Sequence, residues 1–161
     1  MTATTGTVSV RLEELPLQLY AGFREHFDEL NREFALLSLQ QADPAGEVPE
    51  LPQRLLDLVA ALTSRYASAL DAVAQQRENA VARGESSATL VYEVPPSAAD
   101  GAAALAALLD EADEYCRKGD VLLTLETPPE LVAFRRWYLG QFVQQIDGVA
   151  PQSWPSFAAA G

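Results

Sequence analysis

The sequence predicts a mainly α, four-helix bundle-like domain with two or three short strand-like segments. Three observations carry that prediction: apolar residues recur every three or four positions in four long stretches, short alternating runs separate them, and proline or glycine marks most junctions. A chain of 161 residues suits one domain with a sizeable core. Its 48% hydrophobic and 21% charged content is that of a globular chain and not a disordered one. Residues 1–161 are therefore read as a single globular domain, with 1–6 a loose start and 149–161 a proline-containing tail packed on the surface.

Thr7 to Leu12 alternates Val8, Val10 and Leu12 with polar neighbours, as a half-buried strand does. Pro16 suits the first turn of a helix. Beyond it Tyr20, Phe23, Phe27, Leu30, Phe34 and Leu37 step by threes and fours, a seam that faces other helices and puts Phe27 in the core. The opposite side carries Arg24, Glu25, Asp28, Glu29, Arg32 and Glu33. Their ion pairs at helical spacing contribute only about 0.2–0.5 kcal/mol each.

Asp43 to Pro49, with two prolines and a glycine, must be a connection. A second helix is expected from Pro52 to Arg83, with Leu55, Val59, Leu62, Tyr66, Ala69 and Val73 on one face and Gly84 as its stop. Joined by a short loop, the two helices should form an αα-hairpin. Ala72 to Ala82 has small and polar inner positions and is expected to fray or to project beyond the bundle.

Leu90, Tyr92 and Val94 share one side of an extended run that Pro95 and Pro96 end. Ser97 is a candidate N-cap for an Ala-rich helix turning Leu105, Leu108, Leu109, Ala112 and Tyr115 inward, with Arg117 and Lys118 at its negative end and Gly119 closing it. Val121 to Glu126 reads as a strand or a buried connector. The two extended runs flanking this helix are candidates for a β-α-β unit with a right-handed crossover. Thr127 and Glu130 then form a Thr-x-x-Glu capping box around Pro128, opening a fourth helix. Leu131, Phe134, Tyr138, Phe142 and Ile146 line its apolar face, while Arg135, Arg136, Gln141, Gln144 and Gln145 fall largely elsewhere. The tail reads as too proline-rich for a helix, with Trp154 and Phe157 burying it against the bundle.

A formal charge of −12 disfavours binding to nucleic acid or to anionic membrane surfaces, both of which need a basic face. The one cysteine, Cys116, allows no internal disulfide and fits a reducing cytoplasm. The start, MTATTGTVSV, has neither the basic end nor the apolar run of a signal peptide, and no stretch reaches the ~20 apolar residues of a membrane span.

Three groups could carry chemistry. Asp110, Asp113 and Glu114 belong to the richest acidic run, which would need a further ligand or base brought by the fold to become a metal or acid–base site. His26 shares a helix face with Glu29 and Glu33, but the chain has one histidine and none of the Glu-x-x-His units of di-metal bundles, so no metal and no cofactor is expected. Cys116 has only Arg117 and Lys118 as local activators and reads as a packed thiol. Arg135, Arg136 and Trp137 are the candidate partner-binding residues, since Trp and Arg combine contact area with polar reach. In an acidic protein the same arginines also suit internal neutralisation of Asp or Glu, with Trp137 covering the bundle. No catalytic motif is found, so an enzyme is the less favoured reading; the alternatives are an adaptor acting through protein contacts and a sensory bundle holding a small ligand.

The runs LEELPLQLYAGFREHFDELNREFALL, LPQRLLDLVAALTSRY, LVYEVPP and LLDEADEYCRKGDVLLTLETPPELVAFRRWYLGQFVQQ, with a later SWP, resemble a family of small, largely uncharacterised actinobacterial proteins. The likeness covers nearly the whole chain. It implies a regulatory setting beside STAS-domain anti-sigma-factor antagonists and ATP-binding anti-sigma factors, the partner-switching proteins of stress signalling. It implies no catalytic residue.

Overall fold

The computed structural model describes residues 6–40, 50–118 and 126–160. The expected connection at Asp43 to Pro49, the stop at Gly119 and Val121 to Leu125 of the third extended run lie outside them. Eight elements follow in order: β1 (Val8–Pro16), α1 (Leu17–Gln40), α2 (Glu50–Arg65), α3 (Ala67–Ala82), β2 (Ser87–Val94), α4 (Ala98–Lys118), α5 (Pro129–Ile146) and α6 (Trp154–Ala160). The described residues are mainly helical, as expected, with six helices instead of four and a two-stranded antiparallel sheet.

The sheet departs from the expected β-α-β unit: β2 pairs with β1, from Val8 opposite Val94 to Pro16 opposite Ser87. Alternation explains the choice, because both strands offer one apolar face, and Val10, Leu12, Leu90, Tyr92 and Val94 are all buried. Between Leu12 and Leu15 the register slips, with Glu14 at φ +54 and its N–H donating to the Thr89 hydroxyl at 3.3 Å. This bulge shifts the alternation by one residue, so that Leu15 turns inward and Glu14 stays outside. Pro16 accordingly ends β1, and the first helix starts one residue later.

A ribbon of two strands has two open edges, and glutamines from two helices close both near its middle. Arg11 and Val91 face each other across the ribbon with their backbone groups pointing outward. On the β1 side, the Gln145 side chain accepts from Arg11 N–H at 2.9 Å and donates to its carbonyl at 2.7 Å. On the β2 side, Gln76 accepts from Val91 N–H at 2.9 Å and donates to its carbonyl at 3.0 Å. Each carboxamide thus takes the place of a peptide group in a neighbouring strand.

Gln76 also corrects the expected projection of Ala72 to Ala82. That segment packs on β2 and buries Val73 and Ala80. The helix expected from Pro52 to Arg83 is bent at Tyr66, whose φ of −110° and ψ of 23° separate α2 from α3, while the hydrogen bonds Tyr66 N–H to Leu62 and Leu70 N–H to Tyr66 bridge the break. Gly84 ends it as expected: at φ +75 it lets Glu85 N–H reach the Ala80 carbonyl and its own N–H reach that of Val81.

The seam of α1 divides. Tyr20, Leu30 and Phe34 are buried, whereas Phe23, Phe27 and Leu37 are half-buried against the core, so Phe27 lies at the core's margin. α1 packs on α2 and α5, and α2 on α4, where a Cβ at Gly101 would stand only 2.7 Å from Leu62 Cδ2. α5 touches α4, α1, β1 and α6. For that reason its buried set, Phe134, Arg135, Trp137, Leu139, Gln141, Phe142 and Gln145, is wider than a single apolar stripe. The tail also differs from expectation: Trp154–Ala160 is helical because Pro155 falls in the first turn, where its missing N–H costs nothing, and the Ser153 hydroxyl caps Ser156 N–H at 3.3 Å.

Replacing Gln145 by Leu leaves both Arg11 backbone groups unpaired and is expected to lower the unfolding free energy by about 1–3 kcal/mol. Urea unfolding followed by circular dichroism checks it; a change within error would show that the ribbon edge needs no cap.

Candidate functional site

Asp110 and Asp113 are three residues apart, which places both carboxylates on one face of α4. α5 crosses that face and brings Arg135 onto it, only 2% exposed. Its Nη2 lies 2.7 Å from Asp110 Oδ1 and 3.0 Å from Asp113 Oδ2. Asp113 is buried, whereas the Asp110 side chain is half exposed, so the pair opens to solvent on one side only.

Thr127 completes the cluster in a role different from the expected cap. Its hydroxyl donates to Asp113 Oδ1 at 2.6 Å, and its N–H donates to the same oxygen at 3.1 Å. No side chain caps α5, whose first residue is Pro129, one later than expected. Arg135 Nη1 donates to the Thr127 hydroxyl at 3.4 Å, and His26 Nε2 of α1 stands 3.3 Å from it. With its proton committed to Asp113, the hydroxyl can only accept from His26, which requires a proton on Nε2. His26 is thus half-buried beside this cluster.

The candidate residues therefore separate. Asp110, Asp113 and Arg135 come together as an internal charge network. Glu114 points elsewhere and holds Arg117 at 2.6 Å and Lys118 at 3.5 Å on the surface, where Arg117 also binds Glu126 at 2.8 Å. Trp137 is buried, and its Nε1–H donates to the Gln152 carbonyl at 2.8 Å. The partner-binding reading of Arg135, Arg136 and Trp137 is corrected for two of the three: Arg135 and Trp137 face inward, as the alternative of internal neutralisation and bundle covering has it, because α5 is covered on most sides, and only Arg136 is exposed. Cys116 is fully buried, and burial with the nearby Asp113 charge pushes its thiol up to about 11. It remains protonated and packed at neutral pH.

A second polar group escaped the sequence reading. The Tyr92 and Tyr138 hydroxyls hydrogen-bond each other beneath α1 and α5, with the Tyr20 ring 5.9 Å from that of Tyr138. Arg77 of α3 lies 5.1 Å over the Tyr20 ring and donates to its hydroxyl at 3.3 Å. Burial holds both Tyr92 and Tyr138 well above the usual tyrosine range, and the Tyr20 hydroxyl raises Arg24. These tyrosines read as core positions in the sequence, and only the fold reveals that their polar ends converge.

Comparison with family models, with curated proteins and with solved structures returns no match. The chemistry of the site must be judged from its own groups. In the charge network each partner is already engaged: Asp113 by Thr127 and Arg135, Arg135 by two carboxylates. It clamps α1, α4 and the start of α5 together. An open groove of about 310 Å³ lies apart from it, between α3 and β2, lined by Ser68, Ala69, Ala72, Gln76, Val91 and Glu93. No helix among the described residues is long and apolar enough to cross a membrane, and no group of His, Cys, Asp and Glu among them is arranged to hold a metal ion.

Two measurements follow from this geometry. Arg135→Met strands a buried carboxylate and is expected to cost about 3–5 kcal/mol, with much of the loss recovered in Arg135→Met/Asp113→Leu; equal destabilisation of single and double variants in urea melts would refute the clamp. The second concerns alkaline pH. Cys116, Tyr92 and Tyr138 hold their protons more tightly folded than unfolded, so their stabilisation is intact below the unfolded values and is lost as pH rises through and beyond them. Stability should be level from pH 7 to ~8.5 and fall above it, by at most about 1.4 kcal/mol per pH unit per group, and Cys116→Ala should make the fall shallower.

Proposed function

We propose that this chain is a non-catalytic regulatory or adaptor protein that works through protein–protein contacts in the cytoplasm. The observation that carries the reading is the outward strip of α5. Arg136, Gly140 and Val143 share one helix face by their spacing. Arg136 is exposed and has no ion-pair or hydrogen-bond partner among the described residues, and Val143 is exposed beside it. Gly140 costs the helix about 1 kcal/mol relative to alanine, yet a Cβ there would meet nothing within 4 Å. Packing among the described residues gives no reason for glycine here; close approach of a partner would.

An acidic partner suits this strip. Arg136 offers a fork for a carboxylate or phosphate, and the net charge of −12 repels anions that lack the apolar contact. The family resemblance supplies the setting, stress or sigma-factor signalling, with STAS-domain or anti-sigma regulators as partners. Among the described residues the α3–β2 groove is an open surface feature and lends the sensory alternative no support.

Copurification from native cells, quantified by mass spectrometry for the wild type and for Arg136→Glu, tests the reading. Regulators of the partner-switching class should be enriched with the wild type and bind the variant more weakly by about 2 kcal/mol, the scale of a hot spot, at an unchanged melting temperature. Identical partner profiles would sink it.

A further inference from the structure

The segment from Val149 to Ala160 is held to the rest of the fold in the manner of a bound peptide. None of the α6 residues is buried, and Val149, Ala150 and Pro151 are exposed. Besides packing against β1 and a backbone bond from Val149 N–H to the Gln144 carbonyl at 2.9 Å, the segment is held to α5 by a few specific contacts. The half-buried Trp154 ring sits edge-on to Trp137 at 5.6 Å and to Phe134 at 5.7 Å, with Phe157 at 5.9 Å beside it. Gln152 adds two backbone hydrogen bonds: its carbonyl accepts from Trp137 Nε1–H at 2.8 Å, and its N–H donates to Gln141 Oε1 at 3.0 Å. One aromatic anchor plus a paired main-chain carbonyl and N–H is how a surface reads an extended peptide. Pro151 and Pro155 restrict the unbound segment and reduce the entropy lost on docking.

The receiving surface belongs to the core. Trp137, Phe134 and Gln141 are buried on α5, and Gln141 Oε1 is oriented by a second bond from Gln145 Nε2 at 2.9 Å. That bond links Gln141 to the cap on Arg11, so the surface is pre-formed through Gln145, the glutamine that closes β1. When the segment leaves, the indole N–H of Trp137 loses its acceptor and the faces of two large rings meet water. The vacancy suits a ligand that returns a ring and a backbone carbonyl in the same places.

We propose that this surface is a peptide-docking site, that residues 149–160 are its tethered occupant, and that a partner segment carrying tryptophan followed by proline replaces it. The proposal rests on the adaptor reading only for the source of the competing peptide. Exchange at the site does not involve Arg136, so the two readings fail separately.

A fluorophore-labelled peptide of sequence VAPQSWPSFAAA, titrated by anisotropy, tests it on the full chain. Against the wild type the peptide competes with a tether whose effective concentration is of millimolar order. Trp154→Ala/Phe157→Ala removes the anchors and should tighten peptide binding roughly tenfold or more, while the same peptide with alanine for tryptophan binds neither protein. A folded double variant that binds no tighter than the wild type overturns the proposal. Hydrogen exchange of the wild type provides the second measurement, independent of how well the variant folds. The amides of Gln152 and Phe157 should exchange by local opening, well ahead of Phe142 in α5; exchange only with global unfolding overturns it. A concentration-dependent wild-type dimer that excess peptide fails to dissociate overturns the partner peptide in favour of exchange between copies.

Discussion

A two-stranded ribbon is stable only when something else satisfies its edges and covers its apolar face. Here both tasks fall to helices that are held in register by single carboxamides. Gln76 ties α3 to Val91 and Gln145 ties α5 to Arg11, and because those residues face each other across the ribbon, the two helices flank the sheet at the same level. Glutamine suits the task because one side chain presents a donor and an acceptor at the spacing of a peptide group. A glutamate would set a negative charge against a carbonyl, and a leucine would leave two backbone groups unpaired. The position of α5 follows, and with it the positions of α4, α1 and α6.

Since α5 is covered on most sides, it must bury side chains of every kind. Arg135 is tolerated in the interior because Asp113 and Asp110 neutralise it and Thr127 takes a further N–H. The same constraint separates adjacent residues by role. Arg135 and Trp137 are structural, while Arg136 between them points to solvent. A tripeptide that reads as one surface feature is in fact divided between inside and outside by a turn of 100° per residue.

Most of the helical architecture was legible in the sequence. Three- and four-residue spacing located α1, α4 and α5, the alternation of Val10, Leu12, Leu90, Tyr92 and Val94 located the strands, and Gly84 ended α3 as its placement suggested. What was hidden depends on residues far apart in the chain. The pairing of β1 with β2, the packing of Ala72 to Ala82 on the sheet and the inward turn of Gln141 and Gln145 have no local signature. At the candidate site, Asp110, Asp113 and Glu114 were visible as an acidic run, but which of them the fold would bring to an arginine was not. Thr127 was misassigned for a physical reason: a hydroxyl can cap its own helix or reach a carboxylate, and the charged acceptor won. The α6 helix was missed because proline was read as a breaker when it stands where a helix can begin.

The wide separation of these contacts also governs how the chain reaches its fold. β1 precedes its hydrogen-bonded partners by long stretches of chain: Glu93 is 84 residues from Ser9, and Gln145 is 134 residues from Arg11. During synthesis β1 must therefore wait while α1 to α4 form around an incomplete core. Contacts of such long range close slowly, because the entropy of a large loop is lost before any of them forms. Gln145 of α5 completes the edge of β1, so that strand is fully paired only after α5 has left the ribosome.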